Sequence, residues 1–302
     1  MVVKPSDPRA PFMQGCALVI LMTLLLVPVP SPGARDMTGR EVAVPLPPRR
    51  IVSLVPSFTE IVYALGGEDR LVGVTDFCDY PPAARRKPSV GGMVAPSLET
   101  LVALRPDLVV ATTAGNSDES FAHLKRLGIP TYVVGVNHFA EMMDLIKRAG
   151  ELTGRQSVAA PLAARLEARI AAVRRSVAPF AAPRVLYVLW PAPLIVPGRE
   201  SLVTELIETA GGRSVTADEG TAYPRFSLEA AVARAPEVIV LANHGTGSSP
   251  PPLDPWQRLT SLPAIKRGRV YSVDGNMLHR YGPRVVDGLE MLARLLHPEA
   301  FR

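Results

Sequence analysis

The chain has little cysteine: its 302 residues contain two, Cys16 and Cys78. Cys16 falls in an N-terminal segment that reads as a removable leader. Cys78 is then left alone, which excludes an internal disulfide and a metal site built from paired cysteines. A strong charge of one sign is also missing. The formal net charge of +5 is mild for this length, and the basic residues are scattered, with Arg85-Arg86-Lys87 the densest run, so no nucleic-acid-binding face is expected. Nor is there a Gly-rich phosphate loop, a nucleophile elbow or a metal-ligand motif. The notable apolar run, Cys16 to Val27, is 12 residues long, short of the roughly 20 that cross a bilayer comfortably.

That run follows Lys4 and Arg9 and ends in Pro28-Val29-Pro30-Ser31-Pro32-Gly33-Ala34. A basic start, an apolar centre and a small-residue exit make residues 1–34 an export signal. An uncleaved membrane anchor is the alternative. A lipoprotein would need a cysteine just after the apolar run, and Cys16 precedes it. Removing the segment takes away Lys4, Asp7 and Arg9 and changes the net charge from +5 to +4.

What the sequence does contain is a repeat. Ser97-Leu98-Glu99 through Val110 returns 130 residues later as Ser227-Leu228-Glu229 through Val240, with 7 of 14 positions identical. Thr59-Glu60-Ile61-Val62, running to Gly66-Gly67, is echoed by Thr204-Glu205-Leu206-Ile207, running to Gly211-Gly212, in the same order within each half. In the longer repeat, serine caps a helix, glutamate sits in its first turn and proline ends it. Asp107 or Glu237 and a β-branched run follow, as in a buried parallel strand. Two α/β lobes are therefore predicted, each long enough for its own core.

Further elements can be placed along the chain. Strands are expected at Arg50 to Val55, Leu71 to Val74, 108–111, Thr131 to Val134, Arg184 to Leu189, Val238 to Leu241 and Val270 to Val273. A turn is read at Pro56-Ser57. Helices are expected at Thr59 to Leu65, 97–104, 118–127, 200–209, 227–234 and 284–296. From Ala140 to Val177 apolar residues recur at helical spacing, which predicts one long amphipathic helix, weakened at Gly150 and Gly154 and open to a kink or restart at Pro161. Gly245 to Pro252 reads as a polar surface loop. The organisation is thus an export signal (1–34), an N-terminal α/β lobe (35–138), a long linking helix (139–178) and a C-terminal α/β lobe (179–302). A helix between lobes is a stiff strut that limits hinge motion.

Several motifs together carry a resemblance: Arg50-Ile51-Val52-Ser53-Leu54-Val55-Pro56-Ser57, Gly73 to Pro82, Gly91-Gly92-Met93 and Leu98-Glu99 through Asp107. Over residues 50–297 the chain resembles the helical-backbone substrate-binding proteins of ABC importers, most of all their cobalamin-binding branch. The resemblance implies two Rossmann-like lobes joined by one long helix, a cleft between them for a corrinoid such as cobalamin, periplasmic location, and delivery to permease subunits. Nothing implies a cofactor, and a monomer is expected. One glutamate of each lobe, here Glu99 and Glu229, would dock on arginines of the permease. Phe77 and Tyr80 match the wall of the first lobe, Phe77 standing where cobalamin binders commonly have tyrosine. Tyr223 matches an aromatic of the second lobe, Trp190 lies near another, Arg280 matches a polar contact, and Asn276 falls where one branch has an acidic residue. A tryptophan that some cobalamin binders carry before Gly92-Met93 is replaced here by Val90-Gly91.

Other readings share the scaffold. Siderophore binders tend to offer several arginines to an anionic chelate. A haem binder needs a tyrosine or histidine on iron, for which Tyr80, Tyr223, His138 and His279 are the candidates. From a different class, an exported enzyme would use Glu99 and Glu229 as an acid–base pair.

Overall fold

The computed structural model describes residues 1–2, 33–243, 256 and 258–302. Most of the expected export signal and the expected loop from Gly245 to Pro252 lie outside the described residues. Among the described residues no helix is long and apolar enough to cross a membrane.

Ala34–Arg35 (β1) and Glu41–Val42 (β2) form a small antiparallel hairpin. Lobe 1 follows with strands Ile51–Ser53 (β3), Leu71–Val74 (β4), Leu108–Thr112 (β5) and Thr131–Val134 (β6), and helices Pro56–Ala64 (α1), Leu98–Ala103 (α2) and Asp118–Arg126 (α3). Two helices come next, Phe139–Thr153 (α4) and Gln156–Val177 (α5). Lobe 2 contains Arg184–Val188 (β7), the hairpin Trp190–Pro191 (β8) and Leu194–Ile195 (β9), Leu202–Thr209 (α6), Arg213–Ser214 (β10), Leu228–Ala233 (α7), Val238–Asn243 (β11), Pro263–Lys266 (α8), Val270–Asp274 (β12), Gly275–His279 (α9) and Val285–Leu296 (α10).

Each lobe has a four-stranded parallel sheet, ordered β4-β3-β5-β6 in the first and β10-β7-β11-β12 in the second. Counted within its own lobe, each order is second, first, third, fourth strand. The repeats occupy matching places: α1 and α6 follow the first strand, and α2 and α7 precede the third. Ser97 and Ser227 cap α2 and α7 by accepting from the Thr100 and Ala230 amides. Even the turn after each helix matches, with positive φ at Arg105 and Ala235. Asp107 accepts from the Arg49 and Arg50 amides, and Glu237 accepts from the Arg184 amide, which ties the third strand to the start of the first in both lobes.

Period-two alternation buries both faces of each sheet. Ile51, Leu108 and Val110 pack with Val185, Tyr187, Val238 and Val240 in one core cluster that also takes in α4, α5 and α10. The alternate residues Val52, Val109 and Ala111 form the outer core of lobe 1, and Leu186, Val188, Ile239 and Leu241 that of lobe 2. Such two-sided burial is what parallel sheets require.

The stretch read as one helix is two. Gly154 adopts φ +69° and ends α4 as a left-handed cap, and α5 starts at Gln156. Pro161 lies inside α5 and restarts nothing. A glycine cap releases the chain from the helix path at no Cβ cost. Gly150 then lets α5 pack back onto α4, because a Cβ at Gly150 would sit 2.5 Å from the Ala159 Cβ. The linking strut is thus α5, 22 residues or about 33 Å at 1.5 Å per residue. Its buried stripe runs through Leu162, Leu166, Ile170 and Val173, and Arg169 ties it to Asp287 and Glu290 of α10. A smaller correction concerns Pro56-Ser57. They form the first turn of α1, not a separate turn, since proline is well suited to the first helical position.

Candidate functional site

In open parallel sheets, ligands bind beyond the C-terminal strand ends. Here the loop after β4 supplies Phe77, Asp79 and Tyr80, the hairpin after β7 supplies Trp190, and the segment after β12 supplies Asn276, Arg280, Tyr281 and Arg284. The two lobes touch at this level. Arg284 donates from Nε (2.8 Å) and Nη2 (2.6 Å) to the two carboxylate oxygens of Glu60 on α1. Arg280 donates to Asp79, and its Nη1 lies 3.8 Å from Glu60. The guanidinium carbon of Arg284 lies 3.6 Å from the centre of the Tyr80 ring, within cation–π range.

The Glu60 side chain is 2% exposed. Burial pushes its carboxyl above the ordinary glutamate value, and the Arg284 and Arg280 guanidiniums offset this only in part. At Asp79 burial also pushes upward, but the hydrogen bond and charge of Arg280, with Arg85 beyond it, prevail and hold the carboxyl below its ordinary value. Two carboxylates therefore face two guanidiniums across the seam, and Arg85 of lobe 1 lies 3.3 Å from Asp79 on its other oxygen.

Exposed aromatic groups join this polar floor: Phe77 (55% exposed) and Tyr80 (41%) on the lobe 1 loop that carries Asp79, and Tyr223 (39%) from lobe 2; Trp190 (47%) is exposed on the hairpin after β7. The Tyr223 hydroxyl contacts that of Tyr281, the residue after Arg280. The segment that holds Tyr223 runs beside β9, where the Val196 amide donates to the Pro224 carbonyl, so Trp190 and Tyr223 belong to adjoining strips of lobe 2. Beneath them the buried Tyr187 hydroxyl meets His279 Nε2 at 2.8 Å. Asn276 is half-buried in the first turn of α9, where its amide donates to Asp274 Oδ1. His138, by contrast, lies at the start of α4 with Nδ1 3.6 Å from Glu205.

The structure thus brings Tyr80, Tyr223 and Arg280 into one connected group spanning both lobes, with Phe77 beside it on the same loop. Glu99 and Glu229 stand apart from that group. Both are exposed in the first turns of α2 and α7, at equivalent places in the two lobes. Sequence reasoning missed Glu60, Asp79, Tyr281 and Arg284 as site residues. The signals were present: Glu60 belongs to the shorter repeat, Asp79 lies between Phe77 and Tyr80, and Arg284 closes the Arg280-Tyr281-Gly282-Pro283 run. Among the described residues no cluster of histidine, cysteine and carboxylate side chains could hold a metal ion.

Two like lobes, bridged by one helix and meeting at a polar seam flanked by exposed aromatics, define a two-lobed solute-binding protein. The chain belongs to the periplasmic binding protein family, whose model matches residues 51–277. A vitamin B12-binding protein of Vibrio cholerae is 30% identical over 260 residues, covering 86% of this chain and 93% of that protein. The crystal structure of the periplasmic vitamin B12 binding protein of Vibrio cholerae aligns with TM-score 0.73 at 29% identity, covering 85% of this chain and 99% of that one. A periplasmic heme-binding protein from Roseiflexus sp. RS-1 also aligns with TM-score 0.73, at 28% identity, over 83% of this chain and 99% of that one. The match in backbone is equal for the two, so the choice of ligand rests on side chains.

Proposed function

We propose that this protein captures a corrinoid of the cobalamin type between its lobes in the periplasm and delivers it to the permease of an ABC importer. The observation that carries the choice of ligand is the ion-paired floor of Glu60, Asp79, Arg280 and Arg284 with the exposed aromatics Phe77, Tyr80 and Tyr223 beside it. Exposed aromatic faces suit a large, partly apolar ring system. Arg280 and Arg284 are already engaged by Asp79 and Glu60, so they offer little uncompensated charge to a polyanionic chelate or to the carboxylates of haem. Asn276 and Arg280 are the polar contacts at the second-lobe wall.

Glu99 and Glu229 serve as the docking pair on this reading. Each carboxylate is exposed in the first turn of its helix, and charge at an exposed interface steers association. The matched placement in two lobes suits a partner with two related subunits. On this reading the two glutamates act as docking groups and not as an acid–base pair.

Calorimetric titration with cyanocobalamin, haemin and a ferric siderophore tests the ligand. Saturable one-to-one binding of the corrinoid alone supports the reading. Binding of haemin alone, lost on Tyr80→Ala or Tyr223→Phe, replaces it with a haem carrier on the same scaffold.

A further inference from the structure

The two arginines of the seam hold different things. Arg280 pairs with Asp79 next to Tyr80 in sequence, whereas Arg284 underlies the Tyr80 ring itself while doubly bonded to Glu60. Tyr80 belongs to lobe 1 and Arg284 to lobe 2, so a wall residue of one lobe rests on a support supplied by the other. A guanidinium held by two parallel bonds is fixed in place, and the Tyr80 ring sits over its central carbon at 3.6 Å.

We propose that Glu60 and Arg284 are a positioning pair for Tyr80, so that the contact between the lobes sets the angle of the ligand-facing wall. Separating the lobes withdraws Arg284 from beneath the ring, and the wall loosens as the cleft opens. Holding a ligand and closing the lobes are then one event. The inference rests on the ligand-binding reading above for the role of Tyr80, but its test does not require a known ligand.

Hydrogen exchange of the ligand-free full chain provides that test, with Glu60→Gln and Arg284→Lys as variants. The Asp76 and Cys78 amides, which donate to Gly91 and Thr75 carbonyls, report on the loop carrying Tyr80. Removing hydrogen bonds to a charged group should speed their exchange about tenfold or more in Glu60→Gln. Arg284→Lys, which keeps charge but loses the fork, should fall between, with the lobe 2 loop amides of Arg199 and Glu219, which donate to the Glu219 and Thr216 carbonyls, unchanged; β5 and β11 follow global stability. Exchange at Asp76 and Cys78 equal to that of the parent protein would overturn the proposal. So would an equal rise at Arg199 and Glu219, which marks a merely structural pair. If Glu60→Gln does not fold, the Arg284→Lys pattern decides by the same criteria. Cyanocobalamin and haemin titrations of the same variants form a separate arm. A parent protein that binds neither probe ends the ligand reading, while the exchange pattern still decides the positioning pair.

Discussion

The two lobes share a strand order, a capped helix before the third strand, and a carboxylate that clasps the start of the first strand. They differ in what their equivalent glutamates reach. Glu60 is buried and grips Arg284 with both oxygens. Glu205, its counterpart on α6, is 26% exposed; it accepts from the Phe139 amide at 2.8 Å, with His138 and Arg174 each 3.6 Å away. A duplicated scaffold has thus kept a carboxylate at this place in both halves, but only the first half sets it against the other lobe, beneath the candidate ligand wall. Repetition specifies the frame, and divergence of the partners specifies the site.

That contrast can be broken first at Glu60. Glu60→Gln leaves Arg284 without its charged partner and should lower unfolding free energy by about 3 kcal/mol, as expected when one member of a buried pair is lost. Glu205→Gln should cost less than about 1 kcal/mol, because its partners are partly solvated. Denaturant titration of both variants checks the difference, and equal losses would erase the distinction between the lobes. Next is the strut that joins them. Gly150→Ala forces a methyl against Ala159 and should cost about 1–3 kcal/mol by overpacking, whereas Gly154→Ala should cost about 1 kcal/mol from its left-handed backbone. Thermal melts would show both.

Acid should sharpen the comparison further. In Glu237 of lobe 2, the hydrogen bond from the Arg184 amide outweighs a smaller effect of burial, and with the Arg184 and Arg267 charges it holds the carboxyl below the ordinary value. Its stabilisation is complete above the unfolded-state pKa and is lost as pH falls through the lower folded-state value. Glu60 has a raised pKa and acts in the opposite sense, disfavouring the fold as pH rises from the ordinary glutamate value through the raised one. Glu237→Gln should therefore flatten the loss of stability in acid, and Glu60→Gln should make stability climb more steeply with pH above the glutamate range. Urea midpoints measured between pH 2 and 7 read both slopes.

The smallest expected change in stability is at the exposed pair. Glu99→Ala and Glu229→Ala should each alter stability by less than about 0.5 kcal/mol. Uptake by the intact importer should nevertheless fall in each single variant and be lost in the double variant, with ligand titration unchanged. Normal uptake by the double variant would remove docking from both lobes at once.

Much of this architecture could be read before any coordinates. The Ser97 and Ser227 caps, the strands that follow Asp107 and Glu237, and the two-lobe division all stand where local chemistry and period-two burial place them. The misreadings have local causes too. Continuous helical spacing from Ala140 to Val177 concealed the turn at Gly154, because both resulting helices bury apolar stripes of the same period. In the candidate site, Phe77, Tyr80, Tyr223 and Arg280 were legible through motif likeness. Glu60 was visible only as half of a repeat, with nothing local to name its partner.

The sequence by itself determined the elements, their order and the duplication, since capping, proline placement and hydrophobic period act over a few residues. It also placed Glu99 and Glu229 in matching first turns. Tertiary structure alone decided that α5 would fold back on α4, and that Glu60 would meet Arg284 from 224 positions away. Such pairings depend on how two separately coded lobes pack, and no local pattern of residues carries that distance.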